Sequence, residues 1–264
     1  MDNRTMITIH CENTNKKKKY QVGTTLQEIL EDQNIKSDTP IIGAMVNNTL
    51  KELSYIIYKP KTINFFDYKH PGGKRMYVRS LSMVLFRAIH ILFPKHKLRI
   101  KHSVSGGYYC EIEEFECSAD KVDLIKAKML EIVNEDIQFI REEIETEEAM
   151  KKFAEFGLDD KCLLLNTRVQ LYTSVYKLKD TIDYYYGHLV PSTAYLKIFD
   201  LVKYHCGMLM VIPSSIDPNK LENIIEQPKL FEIFREYQNW VDILGVTNVG
   251  QLNELTLTGK VGDV

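Results

Sequence analysis

Thr5-Met6-Ile7-Thr8-Ile9-His10 alternates apolar and polar residues at period two, as a half-buried strand does. Residues 13–19 form a polar turn holding four consecutive lysines, and Tyr20-Gln21-Val22 returns as a second strand, a hairpin signal. Thr24-Thr25 then caps a short helix over residues 26–30, with Glu28 in the capping-box position three residues after Thr25. Residues 41–46 are a continuous apolar strand turning at Asn47-Asn48, and residues 55–58 and 63–66 are two more short apolar runs. His70-Pro71-Gly72-Gly73-Lys74 breaks the pattern and reads as a domain boundary. Beyond it, Leu81, Val84, Leu85, Ala88, Ile89 and Leu92 have helical spacing within residues 76–93, and Pro94 stops the helix.

Residues 97–100 and 108–112 read as strands around a Ser105-Gly106-Gly107 turn. A long amphipathic helix is expected over residues 120–144, with a stripe from Val122 and Ile125 to Ile137 and Ile140. A second helix covers residues 147–156; residues 163–165, 173–178 and 199–212 are strand-like, and 221–225 and 230–244 turn helical. The fold class expected is α+β. Residues 1–68 have the element order of a β-grasp module, residues 75–215 that of an α/β sandwich, and residues 216–264 form a helical linker.

The 264 residues suggest about two domains, and 44% hydrophobic with 27% charged residues excludes disorder and low-complexity function. Five cysteines, never spaced as CxxC, point to a reducing cytoplasm and away from a disulfide framework or zinc ribbon. No apolar signal core follows Met1, and residues 204–216 are too short and too interrupted to span a bilayer, so a cytoplasmic protein without membrane partners is expected. The net charge of −2 hides segregation: residues 59–108 hold eleven Lys and Arg against one acid, and residues 111–160 hold seventeen acids against six bases. Such asymmetry makes either a basic face for phosphates or two segments that neutralise each other.

Several motifs carry a resemblance. Residues 78–89, then Leu92-Phe93-Pro94 and Gly106-Gly107-Tyr108-Tyr109, resemble the second domain of threonyl-tRNA synthetases, which reads His-Ser-x-x-His-Leu-Leu, Leu-Phe-Pro and Gly-Phe-Tyr-Tyr. Glu147-Glu148-Ala149 with Phe153, and Gly187-His188-Leu189-Val190-Pro191-Ser192-Thr193, resemble later motifs of that domain. Gly43-Ala44-Met45-Val46-Asn47 is similar to the TGS domain that opens the same enzymes. The resemblance spans residues 5–215 and implies a TGS-like module followed by an editing-like domain. In that family two histidines at i, i+4 join a cysteine and a third histidine at the deacylation site. Here those positions are Arg79, Met83, Tyr185 and Leu189. Arg79 is permanently charged and repels a cation, so neither a metal nor the family's catalytic set is expected.

A degenerate editing-like domain behind a TGS-like module also resembles the N-terminal half of bacterial uridine or nucleoside kinases, where a P-loop domain follows. No GxxxxGK[ST] occurs here; Gly72-Gly73-Lys74 and Gly259-Lys260 lack the spacing. The expectation is a non-catalytic binding or regulatory region, cut at Val264 before a kinase domain that alone would use ATP and Mg. Its partners would be that kinase domain and a nucleotide, amino acid or tRNA ligand, with a homodimer as a further expectation. The candidate cleft comprises Arg79, Met83, Lys101, His102, Tyr185, His188 and Leu189, with Arg79 as an anion clamp or a surface ion pair. Lys16, Lys17, Lys18 and Lys19 are candidate RNA-phosphate contacts or a solvated cluster, and Tyr184-Tyr185-Tyr186 stack a base or pack. The alternatives are a hydrolase editing mischarged tRNA through a non-standard site built on His102, His188 and Tyr185, and a structural dimerisation platform. Cys110, Cys117 and Cys206 read as buried thiols, and His205-Cys206 as strand neighbours on opposite faces.

Overall fold

The computed structural model describes residues 5–260 and Gly262. Met1 to Arg4, Val261, Asp263 and Val264, on which the readings of the two termini partly rest, lie outside the described residues. The amino-terminal module is a mixed five-stranded sheet with one helix. Strand β1 (Met6–Cys11) pairs antiparallel with β2 (Lys16–Gln21); after α1 (Leu26–Gln33) come β3 (Gly43–Val46), β4 (Thr49–Glu52) and β5 (Lys61–Phe66), in the order β2-β1-β5-β3-β4. The central strands β1 and β5 are parallel. Helix α1 starts at a complete capping box, Thr25 Oγ1 accepting from the Glu28 amide and Glu28 accepting from the Thr25 amide at 2.7 Å. Its Leu26 and Ile29 complete the core formed by Ile9, Val46 and Ile63. The lysine run is not a turn. It forms edge strand β2 with all four side chains exposed, Asn15 making the turn at φ 52°; charges on an edge discourage pairing with another sheet. Residues 55–58 form no strand of the sheet; Ile56 bridges Thr25 and Ile57 enters the core.

His70-Pro71-Gly72-Gly73-Lys74 opens a helix instead of breaking the chain. His70 Nδ1 accepts the Gly72 amide at 3.0 Å as N-cap, and Pro71 occupies a first-turn position where its missing N–H is no loss, so α2 (Pro71–Leu92) starts there. Gly73 passes so close to the Asp67 carbonyl that a Cβ would lie 2.1 Å from it. Around α2 are β6 (Leu98–Val104), β7 (Gly107–Ile112), α3 (Ala119–Asn134), β8 (Ile140–Glu145), α4 (Thr146–Glu155), α5 (Asp159–Asn166), β9 (Tyr172–Leu178), β10 (Thr181–Asp183), β11 (Asp200–Tyr204) and β12 (Gly207–Val211). They make two sheets, β11-β12-β7-β6 and β10-β9-β8. Leu81, Met83 and Leu85 of α2 share one core with Ile125 and Met129 of α3 and Met208 and Met210 of β12. An apolar helix buried on nearly every side is what this central position requires.

Three further expectations change. The long acidic helix stops at Asn134; Asp136 takes φ 50°, and Ile140 and Ile144 become alternate positions of β8, paired with β9. Residues 163–165 lie in α5, a run of three leucines being too short to tell helix from strand. Residues 221–225 are not helical; Leu221 bridges Pro213, and α6 (Pro228–Leu244) begins at a proline, followed by α7 (Val249–Leu257). Among the described residues no helix is long and apolar enough to cross a membrane.

Candidate functional site

A cleft of about 1100 Å³ opens between the second half of α2, strand β6, helix α5 and the α6–α7 pair. Phe86 and His90 of α2 lie at its base, Lys101 and His102 come from β6, Phe234 and Tyr237 from α6, and Lys161, Asp183 and Tyr185 from α5 and the end of β10. The charge segregation of the sequence is resolved around this cleft. Lys97 pairs with Asp159, Arg99 with Glu113 at 2.6 Å and Asp160 at 3.8 Å, and Lys101 with Glu111 at 3.7 Å. The basic and acidic segments thus neutralise each other across β6, β7 and α5.

The chemistry concentrates on Lys161 and Asp183. They form an ion pair, Asp183 is 3% exposed, and its Oδ1 also accepts the Tyr184 amide at 2.6 Å. Lys161 Nζ lies 5.5 Å from the centre of the Tyr185 ring. Burial pushes the Lys161 ammonium down to about 8, against the upward pull of Asp160. Burial likewise raises Tyr185 above the ordinary phenol range, keeping its hydroxyl neutral. An amine drawn down to about 8 is closer to giving up its proton than an ordinary lysine, and it stands beside a fixed carboxylate and a neutral phenol. Helix α5 is held by α7, where Gly250 packs on the Leu163–Leu164 backbone and Asn253 Nδ2 donates to Thr167 Oγ1 at 3.1 Å. Among the described residues, no three His, Cys, Asp or Glu side chains converge as a metal site.

The seven cleft candidates part into separate places. Lys101, His102 and Tyr185 line the cleft. Met83 and Leu189 are packed in the core, 0% and 1% exposed, where apolar side chains on a central helix gain most. Arg79 lies beneath Gly187. His188 turns to the amino-terminal module, its Nδ1 3.4 Å from Glu52 Oε2 without hydrogen-bond alignment. His102 stacks on Phe234 with ring centres 3.8 Å apart, burial lowering its pKa. His102 and His188 therefore share no contact, and a site built on both is not formed. His205 and Cys206 occupy the β11–β12 turn, not a strand, which leaves Cys206 exposed where Cys110 and Cys117 are buried, and His205 stacks on Phe231 at 3.9 Å. Tyr184 to Tyr186 follow β10 outside any strand, Tyr184 accepting from Arg168 at 2.6 Å. Lys18 of the lysine strand pairs with Asp32 at 2.5 Å.

Lys161 and Asp183 went unnoticed in the sequence. The one local signal was Asp183 standing between Ile182 and Tyr184 in an otherwise apolar stretch.

Glu52 of β4 also accepts from the Tyr176 hydroxyl at 2.7 Å. Burial pushes the Glu52 carboxyl up, but His188 and Tyr176 outweigh it and hold it below its ordinary 4.5. A depressed carboxyl stabilises the fold above the unfolded-chain value and loses that contribution as pH falls through the folded one. Glu52→Gln is therefore expected to flatten the acid limb of a stability–pH profile below pH 4.5, measured by urea unfolding.

No protein-family model matches the chain. It is 30% identical over 199 residues to a threonine–tRNA ligase of Clostridium kluyveri, covering 75% of this chain and 31% of that protein. It is 30% identical over 200 residues to that of Ehrlichia chaffeensis, with the same coverage, and 28% over 187 residues to that of Acetivibrio thermocellus, covering 70% and 29%. Most of this chain is thus similar to a stretch of threonine–tRNA ligases that makes up less than a third of each of them.

Proposed function

We propose that the chain is an aminoacyl-tRNA editing-type module that admits the aminoacylated 3′ end of a tRNA to the cleft and hydrolyses the ester beside Lys161. The observation that carries this is the Lys161–Asp183 pair beside Tyr185, its carboxylate buried and its lysine partly so, in a cleft of about 1100 Å³. The similarity to threonine–tRNA ligases supports a tRNA and an amino acid as the ligand classes. In the reaction, Lys161, in the deprotonated form that a pKa of about 8 makes accessible, takes a proton from water as the oxygen adds to the ester carbonyl, and Tyr185 donates a hydrogen bond to the developing oxyanion. The Lys161 ammonium then returns the proton to the leaving ribose oxygen, releasing a free amino acid and an uncharged tRNA. Asp183 orients Lys161 throughout. The order β2-β1-β5-β3-β4 supports reading the amino-terminal module as TGS-like, with the exposed β2 lysines as a phosphate contact. The relatives lend no support to a uridine kinase parent, nor to its ATP and magnesium.

The test is deacylation of a threonine-specific tRNA carrying a wrong amino acid. Turnover by the natural chain should fall by about 10²–10⁴ in Lys161→Met with tRNA binding retained, the range expected for a lost proton-transfer group. Absence of turnover by the natural chain overturns the hydrolytic reading.

A further inference from the structure

Two arginines on α2 have opposite surroundings. Arg87 is 7% exposed and anchored through one nitrogen: its Nη1 donates to the Leu178 carbonyl at 3.0 Å and Thr181 Oγ1 at 2.7 Å, and pairs with Asp180, while its Nε is left without a partner among the described residues. Arg79 is half-buried, and among the described residues no carboxylate, hydroxyl or carbonyl pairs with its guanidinium. The Gly187 backbone closes over it, where a Cβ would come within 2.7 Å of Nη1, and Gly187 takes φ 127°. Both the missing side chain and the positive φ are what let the chain approach the guanidinium so closely. Arg75 lies one turn earlier on α2, equally without a partner among the described residues. Burial and then the Arg75 charge hold Arg79 below the ordinary arginine range. Like charges at i, i+4 repel, and a desolvated guanidinium left unpaired is unfavourable.

We propose that Arg75 and Arg79 form a binding site for a phosphate-class oxyanion, held between α2 and the backbone at Gly187. A carboxylate satisfies one guanidinium fork; a phosphate group, with more acceptor oxygens in tetrahedral array, bridges two. Gly187 lies two residues from Tyr185 of the cleft, yet Arg79 does not line that cleft. The site is thus separate from the hydrolytic one and does not depend on turnover. The anion is either free phosphate or a phosphodiester of a nucleic-acid backbone.

The experiment follows the Arg79 Nε–Hε signal of the ¹⁵N-labelled chain during phosphate and sulfate titrations at constant ionic strength, with chloride as the balance. A saturable shift is expected with phosphate and sulfate and none with chloride. In Arg75→Gln, whose exposed position leaves folding intact, binding should be about tenfold weaker, equivalent to about 1.4 kcal/mol. In Arg79→Lys, which keeps the charge and loses the fork, the saturable phosphate-induced shift of the Gly187 amide resonance should disappear. A CCA-ended RNA minihelix that displaces phosphate identifies a nucleic-acid phosphodiester as the source; failure to displace it identifies free phosphate. No saturable shift beyond chloride, or equal binding by Arg75→Gln, overturns the proposal, whatever the deacylation assay reports.

Discussion

Phe153→Ala is expected to lower the stability of the fold by about 3–5 kcal/mol, near the top of the range for a single core truncation. Phe153 is fully buried in a small core with Ala149, Leu165, Val175 and Ile182. Those partners come from α4, α5, β9 and β10, so no single element can shift to fill the void. Cavities that cannot collapse are the costly ones. Of α4, Thr146, Ala149 and Phe153 are buried, and Phe153 is the largest of them, with Met150 packed against the same core from its edge. Helix α5, packed on α4, carries Lys161, so the loss should extend to the site. Urea unfolding should show a lower midpoint with an unchanged slope, because the native fold and its buried surface are otherwise kept. A loss below about 1 kcal/mol would mean that the α4–α5 layer is not packed as described.

Local rules were legible where one segment contains its own cause. The Thr25–Glu28 capping box and the Asn47-Asn48 turn, with φ of 45° and 62°, each depend on adjacent residues and were read from them. Misreadings arose where the same residues serve two periods. Ile137 and Ile140 continue a helical stripe, while Ile140 and Ile144 also fit a strand, and pairing with β9 decides for the strand. His70-Pro71-Gly72-Gly73-Lys74 holds two residues that usually break helices, but a proline at the first turn and a glycine against the Asp67 carbonyl suit the start of α2. The candidate site was less legible for a different reason. Lys161 stands in a charged, surface-like segment, and only the tertiary fold brings Asp183 to it, burying the carboxylate and part of the lysine. The motif positions Met83 and Leu189 drew attention because of what the resembling family carries there; with apolar side chains they simply joined the core. His188 found its partner, Glu52, in the other module, a pairing that no spacing within residues 75–215 could indicate.

Removing either member of the Lys161–Asp183 pair should destabilise the protein by about 3 kcal/mol, whereas removing both should restore most of that loss. Asp183→Asn keeps the contact with the Tyr184 amide but leaves a partly buried ammonium without its counter-charge. Lys161→Met leaves the Asp183 carboxylate in the interior without a cation. The double variant leaves neither, and buried ion pairs replaced together are often neutral in stability or better. A double-mutant cycle should therefore give a coupling of about 2–3 kcal/mol. The pH dependence has a definite sign. Lys161 titrates near 8 in the fold against 10.5 for an ordinary lysine, so between those values the unfolded chain binds more protons. Stability attributable to this group must then rise with pH across that window, by on the order of 3 kcal/mol, and Lys161→Met should abolish the rise. The double variant separates structure from chemistry. If it folds as firmly as the natural chain yet deacylates no mischarged tRNA, the pair contributes chemistry that the fold does not need. If it keeps turnover, Lys161 is not the proton-transfer group, and the buried charges serve only to position α5 against β10.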